Sequence, residues 1–408
     1  MGDELKKKNI GILWIIFIIY PLLAFVNSIR FPNVKQYRIF VYAFAVFYGF
    51  TFLTVEGSDS TRYESRIVQV GDYPFNEYWK DISTMYDADV LYNDAYVYTV
   101  FFVVSKFSSN PVVYRVVFAA IYFYVLLALF YGIYDYIHSK SINKQAIWYA
   151  FGILFLLNLS SGINGVRFPL ALQLFLLGFF KYVTTNNWKY LILCFSAFLV
   201  HFMIGFSLLF LVIFVLTKKY YNPLYALVLC LVFFVISSSG LVTSNSALLG
   251  EGIEQRTETY TENEDYQEHR NSHLDSVNWY VKFDRFSTYY FGLRSFILII
   301  AYRKKLFKDA LALQLEYFAL LMYIASFVSA QLVDELSNRY YIFANAAFLI
   351  FMYYLFSINN NNKIIRRLTY IFIPIGILHI LIMMRGDQNT FSPNLIFGNI
   401  FTELFLDT

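Results

Sequence analysis

Arginine, histidine and aspartate side chains stand at the ends of long apolar runs in this chain, where a charge is costly to hold near hydrocarbon. Arg167 is the clearest example, since it lies between two apolar runs in the stretch SGINGVRFPL. Its guanidinium is always charged and offers a planar fork of donors that suits phosphate oxygens. Pro169 predicts a helix start here, and a helix N-terminus presents free N–H groups to an anion. We therefore predict an anion site at Arg167, where Gly162 and Gly165 allow close approach of the backbone.

Further ionisable residues lie at comparable positions, and together they predict a cavity lined by arginines on one side of the molecule. The set comprises Asp59, Arg62, Arg115, His201, Arg285, Arg294, Asp334, Glu335 and Arg339. Each has a simpler interpretation as well. Arg285 and Arg294 are also typical of snorkelling anchors at helix ends. Arg339 could equally pair with a neighbouring acid, and His201 could be a hydrogen-bonded packing residue.

The composition indicates an integral membrane protein. Of 408 residues, 58% are hydrophobic, 21% aromatic and only 15% charged, and the mean hydropathy is +0.51. Apolar runs of roughly 17–25 residues, the length that a bilayer core requires, recur along the chain. The net charge of +4 is therefore no sign of nucleic-acid binding.

Common catalytic motifs are missing from the sequence. It contains no GxGxxG, P-loop, GxSxG or HExxH pattern, which argues against nucleotide-driven transport and the common hydrolases and metalloproteases. Cys194 and Cys230 lie inside apolar runs without metal-type spacing, so we interpret both as packing residues. His269 and His273 have the spacing of a metal pair on a helix, but a solvated polar face is the better interpretation.

The predicted fold is an all-α polytopic integral membrane protein with about 11–13 transmembrane or half-membrane helices. Residues 1–408 form a single transmembrane domain, with outer loops at 56–111, which includes a short half-helix, and at 243–286. Helices are predicted near 10–29, 39–55, 112–134, 145–160, 168–183, 190–216, 222–241, 287–302, 309–331, 340–357 and 368–384.

Charge distribution predicts which side each loop faces. Breaks rich in lysine and arginine, such as 303–308 and 363–367, are assigned to the cytoplasm, and the two acid-rich loops to the outside. The run 190–216 is basic at both ends, so we predict two short helices with a turn near Val200, His201 and Phe202. This turn puts His201 toward the outer side. The segment 95–107 is too short to span and is predicted to be a half-helix.

Four stretches resemble the EpsG-like, Wzy-type polysaccharide polymerases. EGSDSTRY (56–63) resembles the G-x-D-x-x-x-Y element of the first outer loop, and SSGINGVRFPLALQLFLLG (160–178) resembles the N-G-x-R helix start. LVHFMIGFSLLFL (199–211) is similar to the I-H-x-S helix, and DELSNRYYIF (334–343) to a later S-x-R-[FY] segment. Two features depart from the pattern. The serine expected soon after the histidine is displaced to Ser207, behind Ile204 and Gly205, and the acidic loop 251–284 matches no part of the family pattern.

The resemblance implies a metal-independent membrane glycosyltransferase without a cofactor, with its active site on the outer face of the bacterial plasma membrane. Its donor and acceptor would be oligosaccharide repeat units linked to undecaprenyl pyrophosphate, and its product O-antigen, capsule or exopolysaccharide. The implied partners are the lipid bilayer, a chain-length regulator and a flippase, and no nucleic acid.

The resemblance and the residues together lead to one mechanistic hypothesis. Arg167 and Arg339, together with Arg62 or Arg294, bind the donor pyrophosphate. Either His201 or Asp59 is the general base, with His201 favoured because its ordinary pKa lies near working pH. Aromatic residues of the outer loops are candidates for stacking on sugar rings, namely Tyr63, Trp79 and Trp279.

Other functions also fit an arginine-lined cavity. A flippase of lipid-linked oligosaccharide should have charged or broken helices near the midplane and repeated halves, which this sequence lacks. A membrane acyltransferase would need its histidine on the cytoplasmic side. An O-antigen ligase shares nearly all the polymerase chemistry and stays an open alternative.

Overall fold

The computed structural model describes residues 2–71, 73–84, 94–139, 160–222, 309–329, 334–358 and 387–401, with short pieces between 228 and 385. The described parts are mainly helical. The helices are α1 (Gly2–Ile19), α2 (Pro21–Ile29), α3 (Arg38–Thr51), α4 (Asp59–Val70), α5 (Phe75–Ser83), α6 (Ala95–Ser105), α7 (Pro111–His138), α8 (Arg167–Thr185), α9 (Leu191–Val200), α10 (Ile204–Thr217), α11 (Ala310–Ser329), α12 (Asp334–Ile358) and α13 (Asn394–Phe397). Single 3-10 turns occur at Lys35–Tyr37, Ser160–Gly162, Trp188–Tyr190, Lys218–Tyr220 and Gln388–Thr390.

Four helices in the described part are long and apolar enough to cross a membrane. They are α7, α8, α11 and the Leu336–Ile358 portion of α12. At 1.5 Å per residue, the 28 residues of α7 extend over roughly 42 Å, which exceeds the hydrocarbon thickness of a bilayer. The protein is an all-α polytopic membrane protein, as its sequence predicts.

Most predicted runs that fall on described residues are single helices, and α3, α7, α8, α11 and α12 match them within a few residues. The run 190–216 is divided into α9 and α10 around His201, which confirms the predicted turn. The run 10–29 is wrong as one helix, because it is divided between Tyr20 and Pro21. Proline lacks the N–H that would continue the ladder and restricts the residue before it.

The loop 56–111 contains more helix than the single predicted half-helix. The segment 95–107, predicted to be a half-helix, contains the short helix α6, and α4 and α5 precede it. Aromatic packing joins these short helices: Tyr78 of α5 stacks on Phe102 of α6 at 4.3 Å between ring centroids. The predicted runs 145–160, 222–241, 287–302 and 368–384 lie wholly or mostly outside the described residues, as does nearly all of the loop 243–286.

Close packing sets the relative positions of α8 and α9. Gly178 of α8 lies where a Cβ atom would come within 2.8 Å of both Cys194 Sγ and the Tyr190 carbonyl oxygen. Only a residue without a side chain fits at that separation. The contact fixes the helix that begins at Arg167 against the helix that ends before His201.

An ion pair joins α3 to the last turn of α7. Arg38 donates to both carboxylate oxygens of Asp135, to Oδ2 at 2.7 Å, and its guanidinium lies 4.2 Å from the centre of the Tyr131 ring. Asp135 is at the opposite end of α7 from Tyr114, whose hydroxyl donates to the carbonyl of Ser60 at the start of α4. The two ends of α7 are therefore held by separate polar contacts.

Candidate active site

Four charged or titratable side chains from four separate segments meet at one place. Asp94 immediately precedes α6, Arg167 begins α8, His201 lies between α9 and α10, and Arg339 is in the second turn of α12. Asp94 Oδ2 accepts from Arg167 Nη1 at 3.0 Å, and its Oδ1 lies 3.6 Å from His201 Nδ1. Arg339 Nη1 lies 3.1 Å from His201 Nε2. The cluster thus has the order Arg167, Asp94, His201, Arg339.

The start of α8 is held by the preceding turn. Gly165 has a φ of +73°, a backbone conformation that favours glycine. Asn164 Oδ1 accepts the backbone N–H of Ser60 at 3.1 Å, which ties the loop before Arg167 to the first turn of α4. The helix start predicted at Arg167 is confirmed, and its side chain is one-third exposed.

Asp59 and Arg62 lie beside this loop. A Cβ atom at Gly165 would stand 3.5 Å from Asp59 Oδ2, so the glycine leaves room for the carboxylate. Arg62 donates to Asp59 Oδ1 within α4, and the Arg62 side chain is 65% exposed. An exposed pair of this kind contributes little to stability, so Arg62 can change partners at low cost.

The contacts of His201 define which of its ring nitrogens carries the proton. A guanidinium only donates hydrogen bonds, so Nε2 must accept from Arg339 and hold a lone pair. The proton of a neutral ring is then on Nδ1, the atom that faces Asp94. Phe168 packs edge to face against the ring, with centroids 5.8 Å apart at 86°, and the His201 side chain is only 5% exposed.

Arg339 has further contacts that fix its orientation. Its Nη1 lies 3.1 Å from Met203 Sδ, and its guanidinium carbon is 5.6 Å from the centre of the Phe168 ring. The next residue, Tyr340, donates its hydroxyl to the Met203 carbonyl and so docks α12 on the turn between α9 and α10. Arg339 therefore lies against this turn, close to His201.

The ring of Tyr63, which was predicted to stack on sugar, is buried in this structure. Its ring is 2% exposed and packs on Phe101 and Phe118, with centroids 5.5 and 5.8 Å away. Burial raises the pKa of the phenol to about 12, although the positive charge of nearby Arg167 acts in the opposite direction. Tyr63 is thus a neutral hydroxyl beneath Arg167 and has no free face for a sugar.

The two predicted tryptophans are both exposed. Trp79 is 60% exposed on α5 and stacks on Phe75 with centroids 6.5 Å apart at 18°, and Trp279 is 74% exposed.

Some predicted residues are not brought into the cluster or cannot be assessed. Arg115 donates to the carbonyl of Phe52 and not to the cluster. Arg285, Arg294, His269 and His273 lie outside the described residues. Asp334 and Glu335 belong to the first turn of α12, but their side chains are not described.

Asp94 is the site residue that the sequence did not single out. It is one of nine acids in the loop 56–111, and its side chain is 1% exposed. A weak signal was present, since it stands directly before the apolar run 95–107, where aspartate is a common helix cap. Its partners are 73 and 107 residues further along the chain, and no local pattern indicates them.

The arrangement combines anion binding with proton transfer. Two guanidinium groups lie near a neutral imidazole whose Nε2 holds a lone pair, and a buried carboxylate balances part of the positive charge. Cations at a developing negative charge stabilise it, while the imidazole can take a proton from a hydroxyl. Among the described residues there is no group of three His, Cys, Asp or Glu that could hold a metal ion.

Comparison with known proteins identifies the family of the chain. Searches of curated proteins and of solved structures found no match to the chain. A scan against family models found the EpsG family over residues 14–395, nearly the whole chain, and this family comprises Wzy-like polysaccharide polymerases. The match supports a polysaccharide polymerase role, with a glycosyltransferase-like reaction. The chain therefore belongs to the EpsG family.

Proposed function

We propose that this protein is a Wzy-type repeat-unit polymerase. It transfers a growing glycan from undecaprenyl pyrophosphate to a hydroxyl of a second lipid-linked repeat unit. The observation that supports this most is the meeting of Arg167 and Arg339 at His201, because it puts two anion-binding groups next to one base. A lipid pyrophosphate is an anionic leaving group, so its departure needs charge stabilisation and no nucleotide hydrolysis.

The reaction balances with the groups of the cluster. The acceptor oxygen forms a bond to the anomeric carbon of the donor as the bond from that carbon to the phosphate oxygen breaks. The electron pair of the broken bond leaves with undecaprenyl pyrophosphate. The acceptor proton moves to Nε2 of His201, which becomes an imidazolium and later returns the proton to water.

Arg339 has two successive roles in this scheme. In the structure it donates to Nε2, the atom that must receive the acceptor proton. The donor pyrophosphate carries more negative charge than the neutral imidazole, so it draws the guanidinium away and leaves Nε2 free. Arg167 supplies the second cation, and Arg62 a third from its exposed position.

Asp59 is the second candidate for the general base. Its Oδ1 already accepts from Arg62, an arrangement that suits a carboxylate that orients sugar or arginine. His201 is preferred because its Nε2 holds a lone pair directly beside the Arg339 guanidinium.

The proposed setting is the outer face of the bacterial plasma membrane, with a chain-length regulator and a flippase as partners. The four spanning helices support the membrane location, and the loop charges support the sidedness.

Arg167→Ala tests the proposal in cells. We expect polymer to disappear while single lipid-linked repeat units accumulate on the outer side, because the leaving pyrophosphate loses a cation. Lys189→Ala is the matched control, since Lys189 is an exposed cation just beyond the far end of α8. Polymer of normal length in the Arg167 variant would contradict the proposal. Repeat units trapped inside would instead indicate a flippase, and normal polymer that fails to reach its final acceptor would indicate a ligase.

A further inference from the structure

We propose that Asp94 is a positioning residue for the transfer: it keeps the His201 ring in the form protonated on Nδ1, so that Nε2 is the basic atom, and it holds Arg167 beside that ring. The inference rests on the base role of His201 in the proposed function. It assigns a task to a residue that does not itself touch the substrate.

Asp94 links three segments that are far apart in sequence. Its Oδ2 accepts from Arg167 at the start of α8, and its Oδ1 accepts the backbone N–H of Phe202 at 3.2 Å. The same Oδ1 lies 3.6 Å from His201 Nδ1. One carboxylate therefore sets the guanidinium, the turn between α9 and α10, and the imidazole relative to one another.

The position of Asp94 next to α6 does not explain these contacts. An aspartate that precedes a helix ordinarily accepts an N–H from the first turn of that helix. Asp94 makes no such side-chain cap bond. The carboxylate is directed instead toward residues of α8 and of the His201 turn, so its role is at the site.

The electrostatics favour a single tautomer of His201. The Asp94 carboxylate is nearly fully buried, and a negative charge on the Nδ1 side attracts the N–H there. Nδ1 is buried and makes no hydrogen bond within the described part of the chain, so the Asp94 carboxylate 3.6 Å away is the charge that acts on it. The Arg339 guanidinium on the other side requires a lone pair at Nε2. Both charges therefore favour the same proton position.

Asp94→Asn tests the assignment with little change in shape. The amide of asparagine has one donor end, which must face either Arg167 or the side of His201 and Phe202. If that donor end faces His201, it favours a lone pair on Nδ1 and a proton on Nε2. Nε2 can then no longer accept the proton of the acceptor hydroxyl. We expect kcat to fall by about 100-fold or more, the range of a general base, while KM for the lipid-linked donor changes only a few-fold.

The direct readout is the proton position on His201. The full-length protein in liposomes, labelled with ¹⁵N-histidine, has five histidines, and His201→Asn identifies the signals of His201. We expect the native spectrum to show protonated Nδ1 and unprotonated Nε2, and the Asp94→Asn spectrum to lose that form. A purely structural role for Asp94 would not move the proton.

Asp81→Asn is the matched control. Asp81 is another carboxylate of the same outer segment and accepts from the Tyr98 hydroxyl at 2.6 Å, away from the cluster. We expect the Asp81→Asn protein to have a native kcat and a native His201 spectrum. An unchanged spectrum and kcat in Asp94→Asn would overturn the inference and leave the proposed function intact. A native kcat in His201→Asn would instead overturn the base role.

Discussion

Replacement of Arg339 by glutamine tests how strongly charge contributes to the reaction. The substitution removes one unit charge beside His201 Nε2, where the guanidinium nitrogen now lies 3.1 Å away. A cation about 4 Å from a phosphate oxygen stabilises it by ~4 kcal/mol at an effective dielectric constant of about 20. Since 1.36 kcal/mol corresponds to a tenfold change in rate, kcat should fall by about 10²–10³-fold.

The assay is polymerisation by the purified variant in liposomes, with lipid-linked repeat units as substrate and chain length read from gels. Arg339→Lys keeps the charge without the planar fork, so we expect it to recover part of the lost rate. Lys189→Gln removes a distant exposed cation and should have native kcat. A rate for Arg339→Gln within threefold of native would refute the view that this guanidinium stabilises the leaving group.

Two further predictions concern stability. Gly178→Ala should lower the thermal midpoint of the purified protein, because the added Cβ would lie 2.8 Å from Cys194 Sγ and overpacking costs about 1–3 kcal/mol. Gly11→Ala is the control: no atom lies within 4 Å of its added Cβ, so the midpoint should be unchanged. A native midpoint in Gly178→Ala would show that α8 and α9 are not closely packed there. Asp135→Asn should weaken the pair with Arg38, in which Asp135 is 43% exposed, by about 1 kcal/mol or less and leave kcat native. A large loss of polymerisation in Asp135→Asn would mean that this end of α7 takes part in the reaction.

Local sequence signals predicted the helices and two of the site positions. Apolar runs gave the spans because bilayer thickness sets their length. The helix start at Arg167 followed from Pro169, and the break at His201 followed from basic residues at both ends of the run 190–216. Each of these signals lies within the segment that it describes.

What the sequence did not reveal depends on contacts between distant segments. Asp94 had no local mark to separate it from the other loop acids, because its partners come from α8 and from the turn before α10. Tyr63 is the last residue of the stretch EGSDSTRY that resembles a family element, yet its ring faces Phe101 and Phe118 inside the bundle. Helices α4 and α5 are too polar to stand out, and α5 is held by packing against α6.

The order of the cluster also depended on tertiary structure. Arg339 was open to an ion pair with Asp334 or Glu335 when only the sequence was considered. The fold brings it to the turn between α9 and α10, where it contacts His201 and Met203. That contact defines the lone pair on His201 Nε2, a detail that no spacing in the chain indicates.

The central claim is that this chain by itself joins lipid-linked repeat units. The direct measurement uses the purified protein in liposomes with undecaprenyl-pyrophosphate-linked repeat units as the sole substrate and no nucleotide sugar. We predict polymer, with one undecaprenyl pyrophosphate released for each linkage formed, and neither product with Arg167→Ala. Intact single units after incubation with the native protein, or equal polymer from the Arg167 variant, would contradict the account.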